Sequence, residues 1–204
     1  MSGTLYGVGV GPGDPELLTV KAARILHHCP VIAYPTLDGA ASFARTIVAG
    51  HLVNKIEIPI SIPMGNTAAT QRVYDRASDE IAAQLAAGRD VAVLCEGDLF
   101  CYGSFMYLYA RLFKRHQVEI VPGVSSPMAA AAVLSMPLAA HNDIFTILPA
   151  PLDDAVLTSR LSNTDSAAII KLGRHFARIY ALLNQLGLAD RALVGDELDR
   201  QPRL

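Results

Sequence analysis

The chain has 204 residues, of which 51% are hydrophobic and 18% are charged, an ordinary composition for a globular protein. This apolar content excludes an intrinsically disordered chain, and the length allows one large domain or two small ones without stabilising disulfides. Lys and Arg together number 17 against 19 Asp and Glu, a formal net charge of −2. Nucleic acid is therefore disfavoured as the main partner.

Apolar runs of strand length alternate with segments of helical periodicity along almost the whole chain. In chain order, the predicted strands cover residues 5–10, 31–34, 55–60, 90–95, 118–121, 144–148, 167–172 and 192–194. The predicted helices cover residues 14–26, 42–49, 67–87, 104–116, an alanine-rich stretch from 126 to near 136, 153–161 and 176–186.

This alternation predicts an α/β fold with mainly parallel or mixed sheets and helices on their faces. The character of the sequence changes at residues 122–126 (PGVSS), which we interpret as a domain boundary. We expect an N-terminal α/β domain at 1–122 and a C-terminal α/β domain at 123–204. The two domains are expected to pack closely, because no flexible Gly/Ser linker separates them.

Cysteine usage and the apolar runs indicate where the protein works. Cys29, Cys95 and Cys101 lack the spacing of a disulfide framework or a zinc site, and the histidines are not spaced as metal ligands. The first residues do not resemble a signal peptide, and the longest apolar run, 128–140, is broken by a serine and a proline. The sequence therefore predicts a cytoplasmic protein with no membrane partner and no bound metal.

Three glycine-containing loops follow predicted strands, the positions where open α/β sheets bind ligands. The first, residues 7–15 (GVGVGPGDP), departs from the dinucleotide-binding spacing, which disfavours a nicotinamide oxidoreductase; a tight turn into a helix capped by Asp14 is the simpler interpretation. The second, residues 95–104 (CEGDLFCYGS), has two acids that can bind ribose hydroxyls or a cation, or cap a helix. The third, residues 122–126, offers two hydroxyls that can bind a ligand or cap a helix.

Taken together, the loops resemble the motifs of one enzyme family. Residues 7–19 (GVGVGPGDPELLT) look like the opening signature of the tetrapyrrole methylases, and 96–98 (EGD), 122–126 (PGVSS) and 170–174 (IKLGR) resemble later motifs of that family. The segments most similar to members that methylate C20 of precorrin-2 are 34–36 (YPT), 102–108 (YGSFMYL), 142–143 (ND) and 148–151 (LPAP).

This resemblance implies a homodimer of two-domain α/β chains, with S-adenosylmethionine bound as methyl donor in the cleft between the domains. The expected reaction is methyl transfer to C20 of precorrin-2 or cobalt-precorrin-2. The alternatives are a methyltransferase of the same fold with another acceptor, and a non-catalytic module that binds S-adenosylmethionine or a tetrapyrrole. Carried over from the family motifs, the donor-binding residues are Pro12, Glu96, Gly97, Asp98, Cys101, Ser125, Ser126 and Leu172.

Other residues are candidates for the acceptor side of the reaction. Tyr102 and Glu96 are weak candidates for assisting proton loss from C20. Tyr102 and Arg174 are candidates for binding the tetrapyrrole, since guanidinium groups pair well with carboxylate side chains. Arg45 and Arg111 are weaker candidates, because helical surface positions are usually just solvated.

The chain departs from the family pattern in two places. The family usually has Gly-Asp-Pro in the second loop, whereas Leu99 follows Asp98 here; losing the fixed φ of proline predicts a looser loop. Family members usually continue beyond an acidic segment like residues 195–199 into further strands. We therefore expect the C-terminal domain to lack its final strands, and a shortened domain is what keeps the non-catalytic alternative open.

Overall fold

The computed structural model describes residues 2–63 and 67–195, except for the side chain of Thr67. The expectation about final strands falls on residues 196–204, which lie outside the described residues. The chain divides into two compact units, residues 1–126 and 127–204. The loop 122–126, where the sequence places the boundary, therefore belongs to the first unit.

The first unit is built on a five-stranded parallel sheet in the order β3-β2-β4-β1-β5. All five residues of the central strand β4 are buried, as expected for a parallel strand that is covered on both faces. The strands are β1 (Leu5–Gly9), β2 (Val31–Leu37), β3 (Ile56–Ile62), β4 (Val91–Cys95) and β5 (Val118–Val121).

Helices cover both faces of this sheet and alternate with the strands as predicted. The first two pack with Val8, Ile32 and Leu94 on one face, and the next two pack with Leu5 and Val93 on the other. These helices are α1 (Val20–His28), α2 (Phe43–Ile47), α3 (Thr67–Ala86) and α4 (Phe105–Leu112). The next helix, α5 (Ser126–Val133), belongs to the second unit except for its first residue.

The strand order creates a switch point between β1 and β4. The chain runs from β1 through α1 to β2 on one side, and from β4 through α4 to β5 on the other. The loops that follow β1 and β4 therefore diverge onto opposite faces of the sheet. Open α/β sheets bind ligands in the crevice that such divergence creates.

The second unit has its own small core. Strands β6 (Phe145–Pro149) and β7 (Ser166–Ile170) form a parallel pair. Helix α6 (Asp154–Leu161) connects the two strands, and α7 (Phe176–Gln185) follows β7. Arg178 of α7 pairs with Asp154 at the start of α6. The apolar side chains buried in this core are Leu148, Ala150, Leu157, Ile179 and Leu182.

Two predictions about secondary structure are wrong. Residues 14–26 do not form one helix: a 3-10 turn at Pro15–Leu17 ends at the extended Leu18, and α1 starts afresh because the Thr19 hydroxyl accepts a hydrogen bond from the Ala22 amide at 3.1 Å. Residues 192–194 form no strand. They are exposed, and among the described residues the sheet of the second unit has two strands, neither of which pairs with them.

Within residues 2–63 and 67–195, no helix combines the length and the apolarity that crossing a bilayer requires.

Candidate functional site

The loops after β1, β4 and β5 meet at the carboxyl edge of the first unit's sheet. The strand register aligns Gly9 with Cys95, and Val8 with Val121, so the three strands end at the same level. Beyond the strands, Gly11 and Gly97 form a two-way backbone bridge, with N–O distances of 2.8 and 3.3 Å. The first and second loops are therefore held together directly by their backbones.

A glycine from each loop makes this convergence sterically possible. A Cβ atom added to Gly9 would lie 2.5 Å from the Gly123 nitrogen and 2.8 Å from the Gly97 carbonyl oxygen. A Cβ added to Gly123 would lie 2.1 Å from the same oxygen. Because these neighbours are backbone atoms that cannot rotate away, only glycine fits at the two positions. The spacing of the glycines in the sequence did not predict this contact. The glycine at the end of each strand was the feature that could have indicated it.

Asp98 links the second loop to the third. Its Oδ1 accepts hydrogen bonds from the amides of Phe100 and Cys101 at 3.0 and 3.2 Å. Its Oδ2 accepts one from the Gly123 amide at 3.3 Å. The carboxylate that the family motif assigns to donor binding thus shapes the loops around the site through backbone contacts.

Leu99 anchors the second loop where proline is usual. Its side chain is fully buried in the core shared with α3 and α4, together with Phe105. It also lies against Gly7, where an added Cβ would come within 2.7 Å of its Cδ2. The prediction of a looser loop considered only the lost φ constraint, whereas the structure shows that a buried leucine holds the loop to the sheet.

The remaining second-loop candidates present their side chains at the surface. Glu96 is exposed, and so are Cys101 and Tyr102. Tyr102 has φ +60°, a left-handed conformation that is uncommon for a residue with a side chain and that recurs at functional sites. Pro12 differs from these three because it is buried beside the Gly11–Gly97 bridge.

Ser125 and Ser126 stand where the third loop enters α5. Ser125 is half-buried and Ser126 is exposed. The α-carbon of Ser125 and the amide nitrogen of Ser126 are each 3.8 Å from the position of a Cβ built on Gly97. The first amides of a helix lack intrahelical partners. This corner therefore brings hydroxyl groups and hydrogen-bond donors next to the second loop.

The three thiols have different environments. Burial raises the pKa of Cys29 to about 12 and also raises the pKa of Cys95. Cys101 is exposed. Only this last thiol is accessible at the candidate site. Elsewhere, residues 2–63 and 67–195 contain no group of three or more His, Cys, Asp or Glu side chains that is arranged to hold a metal ion.

Two sequence candidates, Leu172 and Arg174, belong to the second unit. They follow β7, where Lys171 has φ +60° and the chain enters a short 3-10 helix at Gly173–His175. Leu172 is half-buried and packs against the core of that unit, whereas Arg174 is exposed. The structure thus brings the other seven donor-binding candidates to one edge of the first unit's sheet, and places Leu172 on a different sheet.

The two weaker arginine candidates already have partners in the first unit. Arg45 forms a bidentate pair with Glu57 at 2.6 and 2.9 Å, and Tyr34 donates to the same carboxylate at 2.8 Å. Arg111 pairs with Asp75 at 2.8 Å and also bonds to Gln71. These contacts give both arginines structural roles. Asp14 likewise caps the turn after the first loop by accepting a bond from the Glu16 amide at 2.8 Å.

The sequence also matches a family profile described as Tetrapyrrole (Corrin/Porphyrin) Methylases across residues 4–198. The chain belongs to the tetrapyrrole methylase family. The converging loops are therefore the family's motifs in their folded arrangement, and the resemblance expected from residues 7–19, 96–98 and 122–126 is confirmed at the level of the family.

Named relatives of this tetrapyrrole methylase include proteins of cobalamin biosynthesis. Cobalamin biosynthesis protein CobIJ of Mycobacterium tuberculosis is 41% identical over 196 residues, which are 91% of this chain and 39% of that protein. Precorrin-2 C(20)-methyltransferase of a Sinorhizobium species is 39% identical over 201 residues, which are 94% of this chain and 82% of that protein. The chain thus spans about two fifths of the first relative and most of the second.

Solved structures share the fold. Uroporphyrin-III C-methyl transferase from Thermus thermophilus, in complex with S-adenyl homocysteine, superposes with a TM-score of 0.64 at 25% identity. The match covers 91% of this chain and 77% of that structure. The predicted α/β class with mainly parallel sheets is confirmed.

Proposed function

We propose that this tetrapyrrole methylase transfers a methyl group from S-adenosylmethionine to C20 of precorrin-2 or cobalt-precorrin-2. The observation that carries the proposal is the meeting of Gly9, Gly97 and Gly123 at the switch point of the parallel sheet. The 39% identity to a protein named for this reaction, extending over 94% of the chain, supports the choice of acceptor.

The chemistry of the loop residues fits the donor. Glu96 offers a carboxylate, which suits hydroxyl groups or a positive charge. Ser125 and Ser126 offer hydroxyls beside the first amides of α5, which suit a carboxylate or the ribose. We also assign Pro12, Gly97, Asp98 and Cys101 to the walls of this pocket, with Asp98 acting through the loop backbones that it binds. Leu172 is proposed as the apolar contact from the second unit.

The chain's own part in the reaction is positioning. Bound S-adenosylmethionine supplies a methyl group on a positively charged sulfur, so no protein nucleophile is required. C20 forms its bond to the methyl carbon as the sulfur–methyl bond breaks and leaves its electron pair on sulfur. Holding the two reactants in line can contribute about 7–11 kcal/mol, and the backbone-to-backbone packing of the loops supplies the rigidity that this requires.

A proton must leave C20 after the new bond forms. The Glu96 carboxylate is the proposed acceptor, and the Tyr102 hydroxyl is proposed to assist by hydrogen bonding, since both side chains are exposed on the second loop. Arg174 is proposed to pair with a carboxylate side chain of the tetrapyrrole. We further propose that the protein works in the cytoplasm, in keeping with its free cysteines, and as a homodimer.

Mass spectrometry tests the reaction directly. Precorrin-2 and its cobalt form are each incubated without oxygen with the protein and S-adenosylmethionine carrying a ¹³C-methyl group. The proposal expects one labelled methyl per macrocycle, with a carbon NMR signal that places it at C20, and no change when the donor is omitted. An unchanged macrocycle, in a preparation that binds S-adenosylhomocysteine, would contradict it and favour another acceptor or a non-catalytic binding module.

A further inference from the structure

A cavity of about 730 Å³ opens at the carboxyl ends of β2 and β3, against the first half of α3. The cavity is open to solvent, and most of its polar lining residues are exposed. The ends of the two strands contribute Asp38, Ser61 and Pro63 to its lining. Successive turns of α3 contribute Arg72, Asp75 and Arg76. None of these residues was a candidate in the sequence.

Arg72 and Arg76 of the lining differ from Arg111 of α4 in the ion pairs of the described residues. Arg111 is held by Asp75, which neutralises that carboxylate of the lining. The ion pairs formed by the described residues include neither Arg72 nor Arg76. The lining thus carries two carboxylates, Asp38 and the ion-paired Asp75, beside the two guanidinium groups of Arg72 and Arg76.

The spacing of these arginines suits one anionic ligand. Residues four apart on a helix lie on the same face, so both guanidinium groups reach the same region. Two like charges in this arrangement destabilise a helix slightly, and a bound carboxylate would remove that cost. Ser61 also lines the cavity, and its hydroxyl group is a further possible hydrogen-bond donor. The lining is therefore chemically matched to carboxylates.

The cavity lies along the same edge of the sheet as the glycine loops. All five strands are parallel, so the ends of β2 and β3 continue the edge formed by β1 and β4. Strands are about 4.8 Å apart, and β2 and β3 are two and three positions from β1, which places the cavity about 10–14 Å along the edge from the first loop. A flat macrocycle with side chains at its rim can bridge this distance.

We propose that Arg72 and Arg76 form a subsite that binds acetate or propionate side chains of the tetrapyrrole. This inference rests on the proposed function. It gives the first unit a docking point for the acceptor, distinct from the loops around Gly97 that are assigned to the donor. Arg174 of the second unit is a separate candidate and is not required by it.

Fluorescence titration with uroporphyrin III, a stable tetrapyrrole rich in carboxylates, tests the subsite. The variants are R72Q, R76Q and the double variant; R24Q is the control, because Arg24 is exposed on α1 at the opposite face of the sheet. We expect each single change to raise the Kd about tenfold and the double change to raise it further. R24Q and the affinity of every variant for S-adenosylhomocysteine should stay within about twofold of wild type. The double variant R72K/R76K, which keeps the charges without the planar fork, should bind with intermediate affinity.

Turnover of precorrin-2 separates this proposal from the proposed function. If wild type methylates precorrin-2 and the double glutamine variant keeps the same KM and the same Kd for uroporphyrin, the subsite is wrong and the function stands. If the wild type does not methylate precorrin-2, but the double glutamine change weakens uroporphyrin binding and R24Q does not, the subsite stands and the proposed acceptor is wrong. Failure of wild type to bind uroporphyrin at all, with no turnover, overturns both.

Discussion

The carboxylate of Asp98, in the loop after β4, accepts a hydrogen bond from the amide of Gly123, in the loop after β5, at 3.3 Å. The other oxygen of the same carboxylate binds two amides of its own loop. One side chain therefore fixes the shape of the second loop and its distance from the third. An acid that the family motif assigns to ligand binding is therefore bonded to backbone amides of two loops.

Replacing Asp98 by Ala should loosen both loops at once. Hydrogen bonds to a charged group contribute about 1.5–3 kcal/mol when they are well shielded, and Asp98 is half-buried, so we expect a loss of about 1–2 kcal/mol in urea unfolding. The affinity for S-adenosylhomocysteine, measured by calorimetry, should fall as well. Asp79→Ala, at an exposed position of α3, is the control and should change neither quantity. Unchanged stability in D98A would show that the three bonds contribute little.

Gly9→Ala should disrupt the convergence of the loops. The new methyl group would meet backbone atoms of Gly123 and Gly97, and overpacking of this kind costs about 1–3 kcal/mol. Gly50→Ala is the matched control, because an added Cβ there meets nothing within 4 Å. Thermal unfolding and S-adenosylhomocysteine binding should both be impaired in G9A and preserved in G50A. Equal behaviour of the two variants would contradict the close packing.

Stability should decline at acidic pH partly through Glu57. Its hydrogen bonds from Arg45 lower its pKa below the usual 4.5, so the folded state binds fewer protons than the unfolded state near that pH. The stabilisation is present above about pH 4.5 and is lost as the pH falls through the lowered pKa. Urea unfolding of wild type and Arg45→Gln between pH 3 and 7 measures this; the stability difference between them should shrink as the pH falls. A constant difference would exclude the pair as a source of acid sensitivity.

Cys101 should be the thiol that reacts with Ellman's reagent in the native protein at pH 8. Cys29 and Cys95 are buried with raised pKa values, so few thiolates form at either position. Saturating S-adenosylhomocysteine should slow the reaction if Cys101 lines the donor pocket as proposed. Cys101→Ser should abolish the rapid phase, and all three thiols of wild type should react in denaturant. A rate unaffected by the ligand would remove Cys101 from the pocket.

Arg174→Ala should weaken acceptor binding more than donor binding. Loss of a charge-assisted hydrogen bond predicts an increase of about tenfold in KM for precorrin-2, with little change in the Kd of S-adenosylhomocysteine. Arg191→Ala, another exposed arginine of the second unit, is the control. Equal losses of both affinities in R174A would show that the residue acts on the fold or the donor site instead.

Most of the fold could be predicted from the sequence. Seven predicted strands have counterparts, because apolar runs and turn residues are local signals. One of the two errors is also local: the Thr19 cap competes with a longer helix that starts at Asp14. The other error has a non-local cause: a strand at 192–194 would need a neighbouring strand to pair with, and the sequence of one segment does not specify its pairing partner.

The candidate site was only partly predictable. Family motifs point to residues such as Glu96 and Ser125, but they do not reveal that Asp98 is bonded to backbone amides or that Leu99 is a core residue. The structural roles of Arg45 and Arg111 depend on Glu57 and Asp75, which are distant in sequence. Arg72 and Arg76 gain meaning only beside the ends of β2 and β3.

The sequence by itself determined the α/β class, the order of strands and helices, and the family, since periodicity, caps and glycine-rich motifs act over a few residues. The tertiary structure decided which side chains are engaged in packing and which remain available to a ligand. Gly9 and Gly123 lie more than a hundred residues apart in the chain, yet their backbones touch, because parallel strands bring distant loops to one edge of a sheet. A linear pattern cannot express that contact, and the arrangement of the site depends on it.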